Sequence, residues 1–252
     1  RFINPYRLAI LIFRDLKQRF FEKHYDYTLG YRSKRSVEEF QKYLRIRRLQ
    51  FLNVFEKPDL TKNYILFPLH FQPEISTSIW ATYYSDQLNT ITQIAKSLPI
   101  DCFLYVKEHW ALLGNKPIEF YKKLKRLPNV KLIIPTANTH ELIKNAKAVS
   151  VLTGTVGFEG IMYNKPVLIF GKVFFDFYPY LINVDSLENL PTLIKKAIHQ
   201  KVNDDDDLRL KFIYAYLNSG YTGNMFDTGT SKENIETICK ELIHETDNCT
   251  NY

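Results

Sequence analysis

Short apolar runs that alternate with helical patterns constrain the fold of this chain more than any other feature of its sequence. Five such runs and a candidate sixth follow residue 63, at 64–69, 102–106, 130–134, 149–152, 167–170 and 181–184. Because these runs are mainly apolar and do not alternate with polar residues, they indicate strands that are buried on both faces. Helices between such strands are typical of a parallel sheet. The pattern therefore predicts a Rossmann-like α/β domain over about residues 61–200, with helices on both faces of the sheet.

The segments between and around these strands carry the predicted helices, at about 79–97, 117–126, 139–145, 204–218 and 230–245. Before the domain, periodicity indicates two further helices at 5–24 and 36–55. The second opens with Ser36 and Glu39, which form a capping-box pattern. The predicted organisation is a basic helical segment at 1–60, the Rossmann-like domain at 61–200 and C-terminal helices at 201–252.

The net charge of +7 belongs to the N-terminal segment alone. Residues 1–60 hold 14 Lys and Arg against 7 Asp and Glu, whereas residues 61–252 hold 20 of each. Such a segment could meet a membrane surface, an anionic substrate or a partner domain, or it could be a solvated helix surface. We expect residues 1–55 to contact the inner membrane peripherally or to pack on a further domain, and we expect no nucleic-acid partner.

The cysteines and the hydropathy pattern bear on the compartment. Cys102, Cys239 and Cys249 form neither a paired framework nor a metal-ligand spacing, which favours a reducing compartment. The sequence has no signal peptide and no apolar run of about 18 residues, the length that predicts a membrane-spanning helix. A cytoplasmic location is therefore expected. Since the first residue is Arg1 and not Met, we also expect the chain to begin inside a longer protein.

In an open parallel sheet, ligands bind beyond the carboxyl ends of the strands, so the loops after the strands are the candidate site. The loop after the first strand, HFQPEISTS at 70–78, is dense in polar side chains that include His70, Gln72 and Glu74. Ser76 or Thr77 could cap the next helix. These polar groups are more than a helix cap requires, which favours a functional loop over a capped surface turn.

The second strand ends in VKEHW at 106–110, where Lys107, Glu108 and His109 follow one another. A cation and an imidazole at this edge of the sheet could hold a phosphate. A lone histidine is more often structural, but this one follows a strand at the predicted ligand edge. We therefore interpret Lys107 and His109 as candidate ligand-binding residues.

The fourth strand leads into LTGTVGFEG at 152–160, a tight turn before a helix. Glycines such as Gly154 allow the backbone to approach a ligand, and the helix start with the hydroxyls of Thr153 and Thr155 predicts an anion site. Glu159 lies one turn into the helix, where it could accept hydrogen bonds from ribose hydroxyls. The alternative is a well-capped helix in which Gly157 allows close packing on the strand. The stretch matches neither GxGxxG nor a Walker loop, so its meaning depends on the other two loops.

Taken in order, PLHFQPEIST, VKEH and LTGTVGFEGIMYNKPVLIFG resemble the bacterial capsule polysaccharide biosynthesis family, which includes β-Kdo transferases. The resemblance covers about residues 60–176, and the last motif is the most specific, since its Gly-x-Glu helix is similar to other GT-B glycosyltransferases. The family implies a GT-B fold, in which two Rossmann-like domains enclose a nucleotide-sugar and the C-terminal domain binds most of the donor. It also implies CMP-Kdo as a candidate donor, chemistry without a metal, and no cofactor beyond the nucleotide-sugar substrate.

Carried over by position, the resemblance implies that His109 contacts the donor phosphate, that Thr153 and Thr155 lie at the phosphate turn, and that Glu159 faces the ribose. Gln72 and Glu74 would lie at the cleft. We assign Glu74 and His109 as candidate catalytic residues, and the remaining candidate donor-binding residues are Gln72, Lys107, Thr153, Gly154, Thr155, Gly157 and Glu159.

Two departures from the family pattern stand out. Trp110 follows the histidine where a proline is expected. Only one Rossmann-like unit is predicted, so an acceptor-binding domain would precede Arg1.

Three functions remain open from the sequence. The first is a glycosyltransferase, or its donor-binding half, that acts on a surface or capsular polysaccharide or a lipid-linked glycan. The second is a UDP-sugar 2-epimerase-like enzyme on the same scaffold. The third is a non-catalytic module that binds a nucleotide-sugar.

Overall fold

The computed structural model describes residues 13, 27–199, 206–220, 222–224 and 231–249. The chain divides into two compact units, residues 1–202 and 203–252. The strands of the described part are β1 (Tyr64–Pro68), β2 (Phe103–Lys107), β3 (Val130–Ile133), β4 (Ala148–Val151), β5 (Val167–Ile169) and β6 (Leu181–Asn183). The α-helices are α1 (Tyr27–Phe51), α2 (Ile75–Ser78), α3 (Gln87–Ser97), α4 (Ile118–Lys125), α5 (Thr139–Asn145), α6 (Thr155–Met162), α7 (Leu190–His199), α8 (Asp206–Asn218) and α9 (Lys232–Cys249).

The strands form one parallel sheet in the order β3-β2-β1-β4-β5-β6. Leu66 of β1 is in register with Tyr105 of β2 on one side and with Val149 of β4 on the other. Along the chain, β2 and β3 are thus added on one side of β1, and β4, β5 and β6 are then added on its other side. The strand order reverses between β1 and β4, which is the position where open parallel sheets bind ligands.

Helices cover both faces of this sheet. The helix α3 packs against α4 and α7, whereas α6 packs against β4, β5 and α5. The crossover from β1 to β2 and the crossover from β4 to β5 run in opposite directions across the sheet. Because both are right-handed, their helices lie on opposite faces. The side chains alternate accordingly: Phe67 belongs to the core under α3 and α4, while the hydroxyl of Tyr64 donates to the carbonyl of Leu142 in α5 at 2.7 Å. The predicted Rossmann-like α/β fold is confirmed.

The helix α1 packs on α4 and on the loop between β2 and α4. Arg45 donates to the carbonyl oxygen of Gly114 at 2.9 Å, and Lys42 donates to that of Ala111 at 2.9 Å. The predicted helix is confirmed, but the predicted start at the Ser36 capping box is wrong, because α1 already runs from Tyr27. Residues 27–35 contain no proline, and Leu29, Arg32, Lys34 and Arg35 favour a helix, so the single Gly30 does not prevent α1 from starting before Ser36.

The predicted helix at 79–97 is also wrong in its first half. After α2, a single turn of 3₁₀-helix spans Thr82–Tyr84, and α3 begins only at Gln87. The side chain of Asp86 accepts hydrogen bonds from the backbone N–H groups of Leu88 and Asn89 at 3.0 and 3.2 Å, and this cap sets the helix start. The predicted caps Ser76 and Thr77 instead lie inside α2.

The predicted helix at 5–24 lies outside the described residues, apart from Phe13. The two predicted C-terminal helices correspond to α8 and α9, which form the second unit. Within the part of the chain that the structure describes, no helix has the length and the hydropathy that crossing a membrane requires. Membrane contact of residues 1–55 stays a prediction.

Candidate functional site

The imidazole of His70 joins the two strands at which the order of the sheet reverses. His70 follows β1, and its Nε2 accepts hydrogen bonds from the backbone N–H groups of Leu152 at 3.2 Å and Thr153 at 3.5 Å, which follow β4. The residue is only 8% exposed. The ring therefore links the exit loops of β1 and β4 from a buried position.

These contacts determine which ring nitrogen of His70 carries the proton. Because Nε2 accepts, the neutral ring is protonated at Nδ1. Burial and, to a lesser extent, the positive charge of Lys116 lower the pKa of His70 to about 4, so the ring is neutral at pH 7. Among the described residues, His70 Nδ1 and the hydroxyl of Thr153 are buried polar atoms without a hydrogen-bond partner.

The glycines of the turn into α6 have two different roles. Gly154 is the N-cap residue of α6, and a Cβ added to it would lie 3.0 Å from His70 Nε2. A Cβ added to Gly157 would lie 2.9 Å from Val151 and 3.0 Å from the ring of Phe175. Gly154 thus allows the imidazole to lie against the turn, whereas Gly157 allows the helix to lie against the sheet.

A buried glutamine that the sequence analysis missed holds the loop after β1. Gln87 is 2% exposed, accepts from the backbone N–H of His70 at 2.8 Å and donates to the carbonyl of His70 at 3.0 Å. It also donates to the side-chain oxygen of Gln72 at 2.7 Å. The amide of Gln72 in turn donates to the carbonyl of Ser85. The predicted ligand residue Gln72 therefore shapes the loop, and no local pattern marks Gln87.

Glu74 lies at the outer end of the same loop. It is exposed and occupies the backbone N-cap position of α2. Its Oε2 accepts a hydrogen bond from the hydroxyl of Ser76 at 2.8 Å. The carboxylate is accessible to a ligand from solvent.

Two charged residues are buried at the end of β2. Lys107 is 7% exposed and donates to the carbonyl of Pro135 at 3.3 Å, and burial lowers its pKa. Glu108 is 1% exposed and accepts from the hydroxyl of Tyr121 at 2.6 Å and from the backbone N–H of His109 at 3.0 Å. Burial raises the pKa of Glu108, while these hydrogen bonds and the nearby lysines oppose the rise.

His109 is exposed, in contrast to its two neighbours. Its Nδ1 accepts from the backbone N–H of Ala111 at 3.3 Å and so caps the 3₁₀-turn Trp110–Leu112. Burial of part of the ring lowers its pKa, and the charge of Lys107 adds to this effect. Because Nδ1 accepts, the neutral ring carries its proton on Nε2, which is therefore a donor.

Lys116 is a second residue that the sequence analysis missed. Its charge interacts with both His70 and Glu108, so it belongs to the electrostatics of the β1 and β2 exits. Burial lowers its own pKa. It follows β2 by nine positions, and the fold of the β2–α4 loop brings its charge close enough to act on His70 and Glu108.

Glu159 lies on α6 and points towards α5. Its Oε2 is 3.8 Å from Nδ1 of His140. The ring of His140 lies 5.8 Å from that of Tyr163. Glu159 therefore contacts the start of α5 and not the loops after β1 and β2.

An apolar cavity of about 480 Å³ borders the end of β2. It lies between α1 and the loops after β2 and β3, and its apolar lining consists of Ile46, Leu49, Val54, Phe55, Trp110, Ala111, Leu113, Ile134 and Pro135. Trp110, the residue that departs from the family pattern, forms part of its wall. Among the described residues, no group of three or more His, Cys, Asp or Glu side chains could hold a metal ion.

The structure brings His70, Thr153 and Gly154 into direct contact, and connects Gln72 to them through Gln87. It does not bring Lys107 or Glu159 into hydrogen-bond contact with this group, because these two side chains face Pro135 and His140. The predicted ligand roles of the nine candidate residues stay predictions.

Solved structures similar to this chain include two transferases and an epimerase. The β-Kdo 2,7 transferase of Thermosulfurimonas dismutans KpsC is 18% identical, with a TM-score of 0.42 over 75% of this chain and 57% of that one. Its β-Kdo 2,4 transferase is 18% identical, with a TM-score of 0.43 over 64% and 55%. The UDP-GlcNAc 2-epimerase of Methanocaldococcus jannaschii, in complex with UDP-GlcNAc and UDP, is 20% identical, with a TM-score of 0.43 over 69% and 48%.

This chain thus spans about half the length of each of these proteins. A search of curated proteins finds no match. The family model described as capsule polysaccharide biosynthesis protein matches residues 12–179, which is more than half of the chain. That match includes β1 to β5 and the loops after β1, β2 and β4, and it ends just before β6. The chain belongs to the capsule polysaccharide biosynthesis family.

Proposed function

We propose that this chain is the donor-binding half of a GT-B glycosyltransferase that transfers a sugar from a nucleotide-sugar to a capsular or lipid-linked glycan. CMP-Kdo is the candidate donor. The observation that carries the proposal is the contact of His70 with the Thr153–Gly154 turn at the point where the strand order reverses. In a member of the capsule family, this is the position at which a phosphate-bearing ligand is expected.

The turn before α6 supplies the groups that would hold the donor phosphate. The helix has eight residues, and its N-terminus presents backbone N–H groups and the positive end of the helix dipole. Thr155 is exposed at the first helical position, and the hydroxyl of Thr153 has no partner among the described residues. Both hydroxyls would donate to phosphate oxygens.

His109 and Glu74 would serve the chemical step. The bond between the sugar and the phosphate breaks, so negative charge develops on the leaving nucleotide, and the Nε2–H of His109 would stabilise it. The acceptor hydroxyl attacks the sugar carbon and loses its proton, which the exposed carboxylate of Glu74 would accept. Glu159, with an exposed side-chain fraction of 31%, would accept hydrogen bonds from ribose hydroxyls.

Nucleotide affinity tests this assignment. Titration calorimetry with CMP, UDP and inorganic phosphate should show binding of CMP and phosphate by the wild-type chain. Glu159→Ala should weaken CMP binding by about tenfold or more, because a hydrogen bond to a charged group contributes about 1.5–3 kcal/mol. It should leave phosphate binding unchanged.

Glu141→Ala, an exposed carboxylate on the neighbouring helix α5, is the matched control and should bind CMP as the wild type does. If Glu159→Ala weakens CMP and phosphate equally, Glu159 is structural. Preference for UDP over CMP would favour the 2-epimerase-like alternative, and binding of no nucleotide would contradict the proposal. Binding without sugar transfer by the full-length protein would identify a non-catalytic module.

A further inference from the structure

Two polar atoms at the reversal of the strand order have hydrogen-bonding capacity that the fold does not use. These are Nδ1 of His70 and Oγ1 of Thr153, both buried and both without a partner among the described residues. The two residues are in direct contact, because Thr153 N donates to the other ring nitrogen of His70 at 3.5 Å. Buried polar groups of native proteins are nearly always paired, so two unpaired atoms on adjoining residues require an explanation.

The structural role of His70 does not explain its unpaired nitrogen. The hydrogen bonds that link the loop after β1 to the loop after β4 use Nε2 alone. An acceptor at that position is sufficient for the link, and a glutamine oxygen could supply it. The imidazole adds one further group, a buried N–H donor at Nδ1, whose position is held by the Gln87 hydrogen bonds to the His70 backbone.

The surroundings select the chemical class of the ligand. The unpaired ring nitrogen is a donor, so its partner is an acceptor. Among the described residues, the charge that acts on His70 is that of Lys116, which also interacts with Glu108 at the end of the neighbouring strand β2. Both oxygens of that carboxylate already accept hydrogen bonds from Tyr121 and His109. The N-terminus of α6 adds positive potential, and Gly154 lies against the ring. These features favour an anionic oxygen.

We propose that His70 is a ligand-binding residue whose Nδ1–H, together with the hydroxyl of Thr153, binds a phosphoryl oxygen of the ligand. This inference rests on the proposed function for the identity of that ligand as a nucleotide-sugar. It adds a second role to His70, which links two loops through Nε2 and binds the phosphoryl group through Nδ1.

A pair of substitutions separates the two roles. In His70→Gln, the side-chain oxygen replaces Nε2 as the acceptor for Leu152 and Thr153, and the donor at Nδ1 is lost. In His70→Asn, the amide nitrogen lies near the position of Nδ1, but the acceptor of the link is lost. His70→Gln should therefore keep the wild-type Tm within a few degrees and lose about tenfold in affinity for CMP. His70→Asn should lower the Tm.

The probes are CMP, cytidine and inorganic phosphate, measured by calorimetry, with His199→Gln on the exposed end of α7 as the control. His70→Gln should weaken CMP and phosphate and leave cytidine binding unchanged. Thr153→Val removes only a hydroxyl and should act in the same direction. Long-range ¹H–¹⁵N spectra of the wild-type chain should show His70 protonated at Nδ1, with a shift of that resonance when phosphate is added.

The outcomes distinguish this inference from the proposed function. If the wild type binds CMP and His70→Gln binds it equally well, the inference is overturned and the proposed function stands. If phosphate binds in a His70-dependent way but no nucleotide binds, the inference stands and the proposed function fails. Should His70→Gln not fold, an Nδ1 resonance unmoved by phosphate and unchanged affinity in Thr153→Val would overturn the inference.

Discussion

The buried pair of Tyr121 and Glu108 offers the sharpest test of how the end of β2 is held together. Tyr121 is fully buried, and its hydroxyl donates to Oε2 of Glu108 at 2.6 Å. Its ring makes edge contacts with Phe55 at 5.6 Å and Phe120 at 5.4 Å between centroids. Tyr121→Phe keeps these ring contacts and removes only the hydrogen bond.

The expected loss follows from the charge of the acceptor. A hydrogen bond to a charged group contributes about 1.5–3 kcal/mol to the free energy of unfolding, against about 1 kcal/mol for a neutral pair. The carboxylate stays buried in Tyr121→Phe and keeps only the backbone N–H of His109 as a hydrogen-bond donor among the contacts described above. We therefore expect a loss of about 2 kcal/mol at neutral pH, or about 4–8 °C in Tm for a protein of this size.

This loss should depend on pH. Burial raises the folded-state pKa of Glu108 above its ordinary value of 4.5. Its stabilising contribution is therefore fully present below the unfolded-state pKa and is lost as the pH rises through the folded-state pKa. The Tyr121 hydrogen bond opposes the rise, so its removal raises the folded-state pKa further. The penalty of Tyr121→Phe should thus be larger at pH 8 than in mildly acidic solution.

Urea unfolding at pH 8 and at about pH 4.5 measures both quantities. The matched control is Tyr64→Phe, because the Tyr64 hydroxyl is equally buried but donates to the neutral carbonyl of Leu142 at 2.7 Å. Tyr64→Phe should cost about 1 kcal/mol at both pH values. Equal losses for the two variants, or a Tyr121→Phe loss that does not change with pH, would refute a charged Glu108 as the acceptor.

Two further substitutions probe the loops. His109→Asn places an amide oxygen where Nδ1 caps the 3₁₀-turn but removes the Nε2 donor. We therefore expect an unchanged Tm and an affinity for CMP reduced by about tenfold. An affinity equal to that of the wild type would exclude His109 from the phosphate site. The backbone φ of Gly154 is −75°, which alanine can adopt, but the Cβ of Gly154→Ala would lie 3.0 Å from His70 Nε2. The imidazole should therefore be displaced, and calorimetry should show weaker phosphate binding. Phosphate affinity equal to that of the wild type would show that the ring position does not matter.

Local sequence was sufficient to predict the strands of the sheet and the loops that form the candidate site. All six predicted strands are present, because short runs that are mainly apolar are stable as strands of a sheet covered by helices. The polar loops after β1, β2 and β4 also lie at one edge, since parallel strands all end on the same side. Two predicted helix starts are wrong. The Asp86 cap starts α3 at Gln87, eight residues after the predicted start at 79, and α1 runs through the capping-box pattern at Ser36.

The contacts that build the site were decided only by the tertiary structure. His70 and Thr153 are separated by 83 positions, and they touch because β1 and β4 are neighbours in the sheet. Gln87, Lys116 and Tyr121 reach the site from a helix start, a loop and a helix face, and no spacing in the sequence connects them to it. Periodicity reports which side of its own element a residue occupies. The order of the strands in the sheet determines which elements contact one another. It therefore also determines which buried donors are left without a hydrogen-bond partner.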